Sequence, residues 1–216
     1  MQASSITAAI AAGMLLLAGA SASVAASRAW VSGHGVDQAG CGTPVAPCRS
    51  LQYAHDHVVA VGGEIDILDP AGYGAITITK AVSIVNDGVG TAGVQSNSGA
   101  AITVNADPSG SVYLRGLNID GVNFTGSTGV QFNAGATLTM VGCVVRHFTG
   151  YGIALTPAAN ATHFNVSDTV SSENGGGGVL AQPNGTFVTD VVIDRLTAQS
   201  NGANGVTVDG DRKSVV

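Results

Sequence analysis

SVYLRGLNI, at residues 111–119, recurs as TLTMVGCVV at 137–145, HFNVSDTVS at 163–171 and DVVIDRLTA at 190–198. Successive copies are 26, 26 and 27 residues apart. Apolar and polar residues alternate within each copy, which is the pattern of a β-strand with one buried face. No helical periodicity separates the copies. A repeat of this length built from short strands predicts that each unit forms one coil of a parallel β-helix.

A second, shorter motif repeats in the same units and supports this prediction. A glycine precedes a short strand-like segment at Gly129, Gly152, Gly178 and Gly205, with spacings of 23, 26 and 27 residues. Insertions fall between the short segment and the long one, as loops do on a repeated frame. Leucine-rich repeats have a similar length, but their fixed Leu and Asn pattern is missing here. The β-branched, glycine-rich composition excludes helical repeats.

Aligning the units predicts which side chains stack on one another inside the helix. One expected column is Leu114, Met140, Val166 and Ile193, and a second is Leu117, Cys143, Thr169 and Leu196. The expected corners are Thr125-Gly126, Thr149-Gly150, Asn174-Gly175 and Asn201-Gly202. We expect the corner asparagines to bond the backbone of the neighbouring coil and the corner glycines to adopt positive φ.

The segment before the repeats carries a more specific pattern, made up of WVSGHGVD at 30–37, Gly40, Pro47, SLQYA at 50–54 and GGEIDI at 62–67. It resembles the opening of secreted right-handed β-helix proteins of the pectate-lyase-like superfamily, in which an initial strand and a short helix cap the first coil. The resemblance extends roughly from Trp30 to the C-terminus. It implies an all-β fold, a right-handed parallel β-helix (solenoid) with a short N-terminal capping helix.

The capping helix is expected to begin after Ser50, whose hydroxyl can cap its first turn. Leu51, Ala54, Val58 and Val61 would share one face, and Gly62-Gly63 would end the helix. The expected organisation is a signal peptide at 1–26, the cap and first coil at 27–74, and further coils at 75–216.

Composition and the N-terminus indicate an exported protein. Ala8 to Ala22 is apolar and Val24-Ala25-Ala26 offers small residues for cleavage before Ser27, although Met1 to Thr7 contains no Lys or Arg. The alternative, an anchored N-terminal helix, would need about 20 apolar residues. A secreted or periplasmic protein that leaves the membrane after cleavage is therefore expected. The net charge of −6, with only eight scattered Lys and Arg, excludes nucleic acid as a partner.

The three cysteines fit the same compartment. Cys41 and Cys48 enclose a loop with two prolines and a glycine, and in an oxidising compartment we expect them to form a disulfide, the alternative being two unlinked thiols. Cys143 lies in an alternating apolar strand, where a buried inert thiol is expected.

Pairs of charged residues at equivalent repeat positions supply the candidate chemistry. Pectate and pectin lyases, which this fold resembles, use an Arg or Lys as base and often a calcium ion bound by aspartates. Arg146, His147 and Glu173 form the densest titratable cluster of the repeats and are the candidate catalytic residues. The alternative is that they are ordinary ion pairs between stacked coils. The pairs expected in contact are Asp120 with Arg146, Asp168 with Arg195, and His147 with Glu173.

Asp66, Asp69 and Asp87 lie around the first coils and are candidate ligands for Ca²⁺. Asp69-Pro70-Ala71-Gly72 is equally typical of a turn. No other cofactor is indicated.

Two functional hypotheses follow from these features. The first is a secreted β-helix that interacts with carbohydrate, acting as a polysaccharide lyase or glycoside hydrolase on acidic polysaccharide. The second is a non-catalytic structural or adhesive β-helix that binds glycan or protein. No intact catalytic motif is present, and Gly33-His34-Gly35, which resembles a polygalacturonase triplet, lies in the predicted cap. Whether the protein is an enzyme stays open at this point.

The last segment predicts an incomplete coil. Val206-Thr207-Val208 is expected to form a short strand, and Ser214-Val215-Val216 would begin the next long one. An uncovered end exposes unpaired backbone groups. The sequence therefore predicts either a fragment of a longer β-helix or end-to-end self-association.

Overall fold

The computed structural model describes residues 25–158, 162–184 and 189–209 in full and the backbone of 214–215. The predicted signal peptide lies outside the described residues except for its last two positions. Residues 210–213, between the last two expected strands, also lie outside them.

The described chain is a parallel β-solenoid whose coils each contribute a strand to up to three sheets. Every strand pairing is parallel, and neighbours in each sheet come from successive coils. The eight-stranded sheet contains, in order, β1 (Ala26–Val31), β2 (Val59–Ile67), β5 (Val82–Val85), β8 (Ser111–Arg115), β11 (Thr137–Val141), β14 (Thr162–Ser167), β17 (Thr189–Asp194) and β19 (Ser214–Val215).

Two smaller sheets complete the coils. The six-stranded sheet contains β18 (Val206–Val208), β16 (Val179–Ala181), β13 (Ile153–Leu155), β10 (Thr128–Ala134), β7 (Ala100–Asn105) and β4 (Ile76–Ile78). The five-stranded sheet contains β15 (Val170–Ser172), β12 (Val144–Arg146), β9 (Leu117–Asp120), β6 (Ala92–Gln95) and β3 (Ala71–Gly72). One short helix, α1 (Leu51–His57), precedes them. The prediction of an all-β parallel solenoid with one short helix is confirmed.

The pairing register confirms the first predicted column. Met140 pairs with Leu114 on one side and with Val166 on the other, and Val166 pairs with Ile193. Met140, Leu114 and Val166 are fully buried, and Ile193 packs partly buried against the same core. The repeat spacing thus gave the correct inward face, because a shift of one residue would have turned every side chain outward.

The second column is also buried, and it contains the single free cysteine of the described residues. Leu117, Cys143 and Thr169 are at most 1 % exposed, while Leu196 is partly buried. Burial raises the pKa of the Cys143 thiol to about 11, so the thiolate needed for reactivity is scarce at neutral pH. This agrees with the inert thiol predicted from the sequence.

The corner asparagines form the expected ladder. Asn174 is buried, its Oδ1 accepts the N–H of Phe148 at 3.2 Å, and its Nδ2 donates to Asn201 Oδ1 at 3.1 Å. Asn201 Nδ2 in turn donates to the carbonyl of Ser171 at 2.9 Å. These bonds cross from coil to coil and satisfy backbone groups that the corner would otherwise leave unpaired.

The expected positive φ at the corner glycines is wrong. Gly126, Gly150, Gly175 and Gly202 have no φ in the left-handed region. Glycine is required there because the coils approach closely: a Cβ on Gly175 would lie 2.6 Å from the carbonyl oxygen of Thr149. Left-handed φ occurs at two other columns, of which one is Gly116, Gly142, Asp168 and Arg195, and the other is His147, Glu173 and Ser200.

The capping helix begins as predicted and ends earlier than predicted. Ser50 has an extended backbone, and its side chain accepts the N–H of Tyr53, as an N-cap does. The helix ends at His57 instead of at Gly62-Gly63. Val59 begins β2 and pairs with Ala26 of β1, and Val61 lies in the register shift that follows, where it is 70 % exposed. Strand pairing on the sheet edge therefore overrides the apolar helical spacing.

A buried histidine joins this helix to the first coils. His55 is 1 % exposed, its Nε2 accepts the N–H of Thr79 at 3.3 Å, and its Nδ1 lies 2.7 Å from Asp56 Oδ1. Burial lowers the pKa of His55, the hydrogen bond to Asp56 partly opposes this, and Lys80 lowers the pKa further. Acceptance of the Thr79 N–H requires the neutral ring.

The predicted disulfide is present. Cys41 and Cys48 are bonded, with their Cα atoms 5.0 Å apart. Both residues are buried, and the linked loop packs beside β1, where Cys48 and Trp30 bond through their backbones.

Candidate functional site

The structure brings the three predicted catalytic residues together at one corner, beside Asp120. Arg146 and Asp120 are direct partners between β12 and β9, and Arg146 Nε lies 3.3 Å from Asp120 Oδ2. His147 Nδ1 lies 3.0 Å from the same oxygen, and its Nε2 lies 2.9 Å from Glu173 Oε2. The expected contacts between stacked coils are therefore all present.

The geometry of His147 limits what this cluster can do. Each ring nitrogen of His147 faces a carboxylate oxygen, so in this arrangement neither nitrogen is open to a substrate. Arg146 is likewise engaged by Asp120. The catalytic role of Arg146, His147 and Glu173 stays a prediction, and their contacts fit a clasp between three coils.

A strained turn lies beside this clasp. Val122, Asn123 and Phe124 have consecutive φ values of 37, 56 and 60°. Asp120 Oδ1 accepts the N–H of Val122 at 2.9 Å and holds the start of the turn. Phe124 is half-exposed, and its ring meets His147 edge-on at 5.2 Å between centroids. A β-branched residue at positive φ is a genuine outlier, so this corner is over-determined by its surroundings.

The remaining predicted pair, Asp168 with Arg195, is an exposed ion pair on another corner. Arg195 donates to both carboxylate oxygens of Asp168, at 2.6 and 2.8 Å. These hydrogen bonds from Arg195 hold the pKa of Asp168 below its usual value. Both side chains remain largely in solvent, as in an ordinary surface pair.

The three candidate calcium ligands are not brought into one site. Asp69 accepts hydrogen bonds from the Ser32 hydroxyl, the Gly33 N–H and the Tyr73 hydroxyl, at 2.6, 2.7 and 2.7 Å. Burial alone would raise the pKa of Asp69, but these three bonds outweigh it and lower the pKa. Asp69 is thus a turn residue, as the alternative predicted, whereas Asp66 and Asp87 line a surface hollow.

Within residues 25–158, 162–184 and 189–209, one group of three potential metal ligands comes together. Asp37, Cys41 and Cys48 place their ligand atoms close together. Both sulfurs belong to the disulfide, and Asp37 already accepts hydrogen bonds from Ser50 and from the Arg49 N–H. These atoms are therefore committed to fixing the cap.

The outward face of the eight-stranded sheet carries a groove that the sequence analysis missed. Two hollows of about 400 and 340 Å³ lie on this face and share Arg28 as a lining residue. We call them together the Arg28 groove. The larger hollow is lined by Arg28, Glu64, Asp66, Ile67, Val85, Asp87, Tyr113 and Arg115. The smaller one adds Trp30, His57 and the edge of the disulfide loop.

Strand register explains why these residues meet. Arg28 pairs with Glu64, and Trp30 pairs with Asp66, so all four point outward from β1 and β2. Asp66 pairs in turn with Val85, and Val85 pairs with Arg115 on β8. Outward orientation follows from alternation, but β1 and β2 are separated by the cap and share no repeat with the later strands. Only Tyr113 and Arg115 belong to a repeat visible in the sequence.

The charges of the groove are mutually paired. Arg28 contacts Glu64, and its Nε lies 3.1 Å from Asp66 Oδ2. Arg115 lies 3.4 Å from Asp87. Burial raises the pKa of Asp66, with Arg28 opposing and the nearby Glu64 and Asp87 adding to the rise. Three carboxyl groups therefore share two guanidinium groups.

Comparison with known protein families, with curated proteins and with solved structures gives no match. The resemblance to the pectate-lyase-like superfamily accordingly stays a prediction. Among the described residues there is no helix long and apolar enough to cross a membrane.

Proposed function

We propose that this protein is an exported parallel β-helix that binds carbohydrate in the Arg28 groove. The observation that carries the proposal is the groove itself, where two aromatic side chains and hydrogen-bonding charged groups line a depression in the outward sheet face. Trp30 and Tyr113 are both partly exposed. Aromatic faces suit the apolar C–H faces of sugar rings, and fixed polar groups around them suit hydroxyl groups.

The carboxyl geometry favours binding over hydrolysis. Glu64 and Asp66 lie on the same outward face of β2, where burial and the neighbouring negative charge of Glu64 raise the pKa of Asp66. A glycoside hydrolase holds its two carboxyl groups about 5–9.5 Å apart to admit a sugar carbon or a water between them. In the groove, Arg28 contacts both Glu64 and Asp66, so each of these carboxyl groups already has a positive partner. At the corner cluster, both ring nitrogens of His147 face carboxylates, and this also favours binding or structure over catalysis.

Export is part of the proposal and is supported by two features. The Cys41–Cys48 disulfide is typical of oxidising compartments, and the apolar N-terminal segment of the sequence is typical of a signal peptide. We further propose that the solenoid is right-handed and related to the pectate-lyase-like superfamily, on the strength of the N-terminal motif. Mass spectrometry of exported protein should find a mature chain that begins at Ser27.

A glycan array followed by calorimetry tests the binding function. We expect Trp30→Ala and Tyr113→Ala to weaken binding of any retained oligosaccharide about fivefold each, since an aromatic contact is worth about 1 kcal/mol. Phe124→Ala is the matched control, because Phe124 is an exposed aromatic outside the groove. Loss of binding in Phe124→Ala alone would move the site to the corner cluster.

The enzymatic hypothesis has its own measurement. Pectin, alginate and glycosaminoglycans are incubated with the protein, with and without calcium, and released unsaturated uronides and reducing ends are measured. We expect no release. Turnover that disappears in Arg146→Ala would instead establish Arg146, His147 and Glu173 as catalytic.

A further inference from the structure

The charge pattern of the Arg28 groove restricts the ligands that it can hold. Each guanidinium in the larger hollow already contacts a carboxylate, Arg28 with Glu64 and Asp66 and Arg115 with Asp87. Arginine recognises the carboxylate of a uronic acid best in bidentate fashion. An acidic sugar would compete with Glu64 and Asp66 for Arg28, and at Arg115 it would meet the neighbouring carboxylate of Asp87.

The larger hollow contains three carboxyl groups and two guanidinium groups, so its acidic groups outnumber its basic groups by one. Asp66 is the most enclosed of the three acids, with 19 % of its side chain exposed, against 31 % for Glu64 and 67 % for Asp87. Burial raises its pKa, and the neighbouring Glu64 and Asp87 raise it further, against the effect of Arg28. A positive group on a ligand would relieve this excess of negative charge, whereas a negative group would increase it.

We infer that the Arg28 groove selects glycans that carry free amino groups, with the ammonium of an amino sugar placed against Asp66 and Glu64. This inference rests on the proposed carbohydrate-binding function and names its ligand class. Tyr113, the outward partner of Ser83 beside Glu64, lies where the same sugar ring can pack on it. The acidic polysaccharide expected from the family resemblance is the ligand that the groove disfavours.

An organic ammonium fits the groove better than a divalent cation does. Calcium needs six to eight oxygen ligands converging on one point. Within the part of the chain that the structure describes, the acids of the groove do not converge as a metal-binding group. An ammonium group needs only two or three acceptors on one side and leaves the arginine pairs in place.

The test compares three oligosaccharides of equal length by calorimetry with the full exported chain. The probes are a glucosamine hexamer, its fully N-acetylated counterpart and a galacturonate hexamer, under mildly acidic conditions that keep the amines protonated. We expect the glucosamine hexamer to bind about fivefold more tightly than the acetylated one, the scale of one charge contact at a partly exposed site. We expect the galacturonate hexamer to bind most weakly.

Two variants separate charge recognition from general binding. Asp66→Asn should remove the preference, so that the glucosamine hexamer and the acetylated hexamer bind this variant with equal affinity. Asp168→Asn, which removes an acid paired with an arginine on a distant corner, should leave all three affinities unchanged.

The outcomes distinguish this inference from the function on which it rests. Equal binding of the glucosamine hexamer and the acetylated hexamer would overturn the inference, and so would tightest binding of the galacturonate hexamer. In both cases carbohydrate binding itself would stand. A glucosamine preference that survives Asp66→Asn would also overturn it. Absence of binding by all three, and by a broad glycan array, would overturn both.

Discussion

Replacing Asn174 with alanine should destabilise the solenoid by about 2–4 kcal/mol, although the substitution is far from the groove. The side chain is 2 % exposed. Its Oδ1 is the acceptor of the buried Phe148 N–H, and its Nδ2 donates to Asn201. Loss of the acceptor leaves the Phe148 N–H buried without a partner, at about 1–3 kcal/mol, and loss of the bond to Asn201 adds about 1 kcal/mol.

Asn165→Ala is the matched control for this change. Asn165 is exposed on β14, and its replacement should change the free energy of unfolding by no more than about 0.5 kcal/mol. Urea denaturation followed by circular dichroism gives the two free energies of unfolding, and amide hydrogen exchange reports the Phe148 N–H directly. The Phe148 amide should exchange faster in Asn174→Ala than in Asn165→Ala. Equal stabilities and equal exchange rates in the two variants would refute the proposed role of the ladder.

Three further predictions test the register, the corners and a buried proton site. Met140→Asp should lower the free energy of unfolding by about 4 kcal/mol or more, because it buries an unpaired charge. Thr139→Asp, on the outward face, should lower it by about 0.5 kcal/mol. Equal urea midpoints in the two variants would disprove the register. Gly175→Ala should lower the free energy of unfolding by about 3 kcal/mol, because the new Cβ collides with the preceding coil. Gly142→Ala, at φ 62° with no neighbouring atoms, should lower it by about 1–2 kcal/mol. The reverse order would show that positive φ, and not close approach, explains the corner glycines. Because the folded pKa of His55 lies below the unfolded value of about 6.5, its stabilisation is complete above that pH and is lost as the pH falls through the folded value. His55→Gln should therefore lose less stability than the wild type between about pH 7.5 and pH 5, as measured by urea midpoints, and equal losses would contradict the neutral ring.

The contacts of the predicted corner cluster could be foreseen, but their chemistry could not. Equivalent positions in successive units must lie side by side, so the proximity of Arg146 to Asp120 follows from a spacing of 26 residues. Spacing carries no information on side-chain direction at a corner. The left-handed φ of His147 and Glu173 aims the ring so that both nitrogens meet carboxylates. In that orientation neither ring nitrogen is open to a substrate.

The corner glycines show where a correct residue choice had a different cause. Glycine is common both at positive φ and where two backbones approach, and a sequence does not separate these two reasons. The distance from Gly175 to the coil before it is a property of the stacked solenoid. Conversely, left-handed φ at Asp168 and Arg195 could be inferred only by aligning them with Gly116 and Gly142.

The sequence by itself determined the parallel solenoid, the buried columns through Met140 and Cys143, and the asparagine ladder through Asn174. These follow from one period repeated over successive coils, because each coil must present the same face to its neighbour. Only the tertiary structure decided where the capping helix ends and which outward residues share the Arg28 groove. The groove combines residues of β1 and β2 with residues of later coils. In the chain, the helix and the disulfide loop lie between β1 and β2. No sequence period links those elements, so only the folded chain brings their charges together.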